Sequence, residues 1–117
     1  MLASEHFVNV VYGFATNCRS AFANPSLAVC FEAYTEKAAD ESDNELLVLV
    51  IKGTHIHSTK VSQVKKVISY AQLLSSTVAN GMCEYFVNDA FNEMELFLNN
   101  DLLAQAKQLA KEDSNEQ

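Results

Sequence analysis

Residues 45–58, ELLVLVIKGTHIHS, constrain the chain more than any other stretch, because six apolar residues run together from Leu46 to Ile51 before Gly53 and a His-x-His step. The run lacks the alternation of a half-solvated strand and is too short to cross a membrane, so it predicts a strand buried on both faces, at the centre of a sheet. Every other element has to be arranged around it.

A chain of 117 residues can bury one adequate core without disulfides or a metal. One α/β domain is expected over residues 1–112, with residues 113–117 as a polar tail. The formal charge of -7, with only eight Lys and Arg, argues against nucleic-acid binding, which needs clustered cations. Three cysteines without CxxC spacing fit free thiols in a reducing compartment. No basic residue precedes the first apolar run and no stretch is long enough to span a bilayer, so a cytoplasmic chain without membrane attachment is expected.

Residues 7–15 satisfy two periods at once. Phe7, Val10, Val11, Phe14 and Cys18 would share a helix face, whereas Val8, Val10, Tyr12 and Phe14 alternate as in a strand. Their β-branched and aromatic content favours the strand. Asn24-Pro25-Ser26 then reads as a helix start, followed by Leu27, Cys30, Phe31, Tyr34 and Ala38 at helical spacing. After the central strand, Ser58 or Thr59 would cap a second helix with Val61, Val64, Ile68, Ala71 and Val78 on its apolar side, ended by Asn80-Gly81. MCEYFV, residues 82–87, reads as a third strand, and residues 90–112 as a last helix interrupted near Asn99-Asn100-Asp101.

This order of strand, helix, strand, helix, strand, helix predicts a small three-layer domain with a short, mainly parallel sheet. Its outer strands would carry unpaired edges, from which a homo-oligomer is expected. In such a sheet the ligand site lies beyond the carboxyl ends of the strands, where three loops would bring together Cys18 and Arg19, Thr54, His55 and His57, and Asn88 and Asp89. Cys18 is the candidate nucleophile, with Arg19 favouring thiolate and a histidine of the second loop as base. His55 and His57 suit a metal by spacing, but no third ligand is linked to them, so neither metal nor cofactor is expected. Lys52, Lys60, Lys65 and Lys66 mark the place for a small anion or a protein partner.

Other chemistry finds no motif. The three glycines, Gly13, Gly53 and Gly81, stand too far apart for a phosphate loop or GxGxxG, and neither GxSxG nor HExxH occurs. Glu93 and Glu95 are two apart and form no acid/base pair on a helix.

Three pieces, LVLVIKGTHIH, LLSSTVANGMCEYFV and the turn NDAF, resemble the DsrE-like family of small sulfur-relay and sulfur-oxidation proteins. The resemblance implies a flavodoxin-like sheet and a tendency to form trimers or hexamers. Members that transfer sulfur carry a persulfide cysteine at the end of the third strand. Asn88 stands there in this chain, so the resemblance implies the fold rather than the activity. The expected function is a non-catalytic binding or assembly module, with a sulfur carrier or thiol enzyme using Cys18 as one alternative and an acidic inhibitor of a basic partner as another.

Overall fold

A computed structural model describes residues 3–21, 27–37, 45–56 and 60–115. The chain runs α1 (Ala3–Ala21), β1 (Leu27–Lys37), β2 (Glu45–His55), β3 (Ser62–Ser69), α2 (Tyr70–Leu74) and α3 (Ala79–Asn115). The three strands form an antiparallel sheet in the order β1-β2-β3, with Phe31 opposite Ile51 and Ile51 opposite Val64.

The expected parallel sheet is therefore corrected. Seven residues separate β1 from β2 and six separate β2 from β3. A parallel crossover takes about a dozen or more, whereas a hairpin needs only a few. Four local expectations change with it. Residues 7–15 are helical, residues 27–37 are a strand, the region after the central strand is β3 and a short α2, and residues 82–87 belong to α3. Gly81 and the Asn99-Asn100-Asp101 segment lie inside α3 and neither end nor interrupt it. The cap expected at Asn24-Pro25-Ser26 lies outside the described residues, as do the proposed caps Ser58 and Thr59.

The helices cover one face of the sheet. Leu27, Val29, Phe31 and Ala33 of β1, Leu47, Leu49 and Ile51 of β2, and Val64 and Ile68 of β3 point to that face and join the core. Phe7, Val11 and Ala15, four residues apart in succession, present one stripe of α1 to it. Cys83, Val87, Ala90, Met94 and Leu98 do the same from α3. Phe31 lies between the two helices, its ring 5.0 Å from Tyr12 of α1 and 6.3 Å from Phe91 of α3.

The central strand is buried on both faces as expected, but only one is covered by helices. On the open face Val48 and Val50 are shielded by neighbouring side chains, and the Lys65 ammonium crosses from β3 to Glu36 of β1 at 3.5 Å, over Val48. Gly53 sets how closely α3 approaches. A methyl group there would lie 2.9 Å from Met94 Sδ and 3.4 Å from Leu98 Cδ1, so those two side chains would have to shift to admit one.

Candidate functional site

An antiparallel sheet has no common carboxyl edge, so the loops that were to form one site are separated. The structure brings together two of the seven expected residues. Cys18, in the last turn of α1, donates its thiol hydrogen to Asn88 Oδ1 of α3 at 3.2 Å. Ala21, Phe91, Asn92 and Glu95 complete the lining of a cavity of about 430 Å³ beside them.

The thiol is not activated there. Burial, with a smaller contribution from the Glu84 carboxylate, raises the Cys18 pKa above its ordinary value and keeps the group protonated. Arg19 does not stand against the sulfur as its position in sequence suggested. Consecutive helical residues point about 100° apart, and the Arg19 guanidinium lies over the Phe31 ring, 5.4 Å from its centroid.

His55 ends β2 on the helix-covered face and is buried, with Nε2 3.2 Å from the main-chain carbonyl of Leu98. A carbonyl only accepts, so Nε2 carries the hydrogen and is committed to this bond. His55 does not line the Cys18 cavity. Its sequence partner His57 lies outside the described residues. Thr54, on the opposite side of the strand, donates to the Lys60 carbonyl at 2.7 Å and fastens the connection from β2 to β3. Among the described residues, no group of three or more His, Cys, Asp and Glu side chains is placed to hold a metal ion.

Asp89 and the basic cluster form ion pairs. Lys66 Nζ lies 2.6 Å from Glu93 and 3.5 Å from Asp89, joining β3 to α3. The hydrogen bond to Glu93 and the charges of both carboxylates raise the Lys66 pKa against an opposing effect of burial. Lys60 meets Asp101 at 3.5 Å, and Lys65 meets Glu36.

The sequence reading missed a surface on the outer side of β3. Here a second groove of about 430 Å³ runs between the strand edge and α3, with Ile68, Val78, Met82, Tyr85 and Phe86 as its apolar walls, while Val67 borders it at the edge and turns its side chain to the open face beside Val48. Tyr85, Val78 and Val67 are 75%, 65% and 49% exposed, large values for residues that together border one groove. β3 is an end strand of the sheet, so its outer backbone groups face away from β2. The signal was present in MCEYFV. Read as helix, Cys83 and Val87 face the core while Tyr85 falls on the outer flank.

None of the described helices is long and apolar enough to cross a membrane. Comparison with family models, curated proteins and solved structures finds no match for the chain.

Proposed function

We propose that the chain is a non-catalytic assembly module that engages protein partners, copies of itself included, through the outer edge of β3. The observation that carries this reading is the edge itself, a terminal strand flanked by the apolar groove of Ile68, Val78, Met82 and Tyr85. Edge strands are ordinarily protected by outward lysines. Here Lys65 is drawn across the sheet to Glu36, and Lys66 is drawn onto α3 by Glu93 and Asp89, so neither ammonium guards the edge. A strand added there would gain a backbone ladder, and alternate side chains would enter the groove.

A thiol-based activity has less support, because Cys18 is held as a neutral thiol with Asn88 as its partner and, among the described residues, no histidine lines its cavity. The test is sedimentation velocity across the micromolar range, joined to selection from a displayed library of random linear peptides. Self-association, or enrichment of peptides with alternating apolar residues, is expected, and Val67→Lys with Tyr85→Ala should abolish either. A chain that stays monomeric and enriches no such peptides overturns the reading.

A further inference from the structure

Resting on that assembly reading, we infer that the partner at this edge is an extended segment of another protein, added antiparallel to β3 and carrying two apolar residues followed by a lysine or arginine. The edge is open to such a strand. Among the described residues, no backbone hydrogen bond reaches the outer side of β3, whose ladder runs to β2 alone. A strand laid there gains that ladder, and the groove beside it is bounded by Lys66 and Ile68 of β3 on one bank and by Met82, Tyr85 and Asp89 of α3 on the other.

Register assigns the three residues. Directly opposed side chains on neighbouring strands share a face, and successive ones alternate between faces. A residue opposite Ile68 therefore turns to the helix side and enters the groove, among Val78, Met82, Tyr85 and Phe86. The next residue, opposite Val67, lies on the open face and lengthens the cross-strand row of Tyr34, Val48 and Val67. Val67 is half exposed at the end of that row, and an apolar side chain beside it completes its burial. The third residue, opposite Lys66, returns to the helix side at the end of the groove marked by Asp89.

Charge fixes the third residue. Lys66 Nζ lies 2.6 Å from Glu93 and 3.5 Å from Asp89, so one cation serves two carboxylates and one negative charge is left over. Glu93 holds the ammonium more closely, and the half-exposed Asp89 is the carboxylate left to a second cation. A lysine or arginine of the added strand supplies it, whereas an acidic residue there would face both carboxylates. The chain's charge of -7 also draws in a basic segment. Antiparallel addition matches the pairing of the sheet itself and places the apolar residue opposite Ile68 ahead of the cation. Within these 117 residues, two apolar residues followed by Lys or Arg occur only at 50–52 and 109–111, inside β2 and α3, so the segment comes from a different protein.

Fluorescence anisotropy with short labelled peptides centred on Leu-Val-Arg, Leu-Val-Ser and Leu-Val-Glu tests this. The arginine peptide should bind about fivefold or more tighter than the serine peptide, and the glutamate peptide should bind most weakly. Added salt should narrow the difference. Asp89→Asn should erase the preference for arginine and Asp89→Lys should turn it toward glutamate, with circular dichroism showing both variants folded because Glu93 still holds Lys66. Equal binding of the arginine and serine peptides, or a preference that survives Asp89→Asn, overturns the inference. A chain that self-associates, or that selects alternating apolar peptides without a cation, overturns the inference alone and leaves the assembly reading standing. A monomer that binds none of these peptides and selects none from the library overturns both.

Discussion

His55 Nε2 donates to the carbonyl oxygen of Leu98 at 3.2 Å, joining the last residue of β2 to the middle of α3. The ring is buried, and the bond spans 43 residues of sequence. A histidine that looked like half of a ligand motif is a tertiary fastener. His55→Phe, which keeps bulk and removes the donor, should cost about 1–2 kcal/mol, and His55→Ala about 1–3 kcal/mol more through the cavity it leaves. Urea denaturation checks both, and no change with His55→Phe would remove the fastener role.

Gly53 and Met94 form the closest point between strand and helix. Gly53→Ala brings its methyl to 2.9 Å from Met94 Sδ and should destabilise by about 1–3 kcal/mol. Met94→Ala alone should cost about 2–5 kcal/mol, since Met94 is fully buried. Combined, the two should cost clearly less than their sum, because the added methyl enters the space the sulfur leaves. An additive double-mutant cycle would show that the contact does not couple them.

The three thiols should label in an order set by access and ionisation. Cys30 is exposed, Cys18 is partly covered with its pKa raised by burial and Glu84, and Cys83 is buried with its pKa raised by burial. Iodoacetamide at neutral pH should modify Cys30 first, Cys18 more slowly than a free thiol, and Cys83 only on unfolding. Rapid labelling of Cys18 would return it to the list of candidate nucleophiles.

Stability should decline on the alkaline side. Lys66, Cys18 and Cys83 all have raised pKa values, so each holds its proton more tightly in the folded chain than in the unfolded one. Their contribution is complete below the unfolded values, about 8.5 for a thiol and 10.4 for lysine, and is lost as pH rises through the folded values. The urea midpoint should therefore begin to fall above about pH 8.5 through the thiols, and Lys66→Met should flatten the later part of the decline. Because Lys66 is one-third exposed, that part should also shrink in high salt.

The central strand was legible because six apolar residues in a row, too few for a helix of their own, admit little else. The elements around it were not, for a reason visible in each. In β1, Leu27, Cys30, Phe31 and Tyr34 carry helical spacing, while Leu27, Val29, Phe31 and Ala33 alternate equally well, and it is the alternating set that lines the core. In α1 the ambiguity resolved the other way, with Phe7, Val11 and Ala15 facing inward. Short apolar stretches satisfy both periods, and pairing with β2 or packing across it decides between them.

The candidate site depended on that decision. Cys18 and Asn88 meet, but as neighbours on two helices rather than at the ends of two strands. The groove beside Val67 and Tyr85 could not be sought until residues 82–87 were known to be helical.

The sequence by itself determined the buried strand of residues 46–51, a formal charge of -7, and the absence of any familiar catalytic or phosphate-binding motif. Those follow from composition and local order, which need no partner. Only the tertiary structure decided that the strands run antiparallel, that His55 is tied to Leu98, and that an apolar groove adjoins the edge of β3. Each depends on which face of an ambiguous segment turns toward β2, and that choice is made by the burial and hydrogen bonds of the whole sheet rather than by any segment's own pattern.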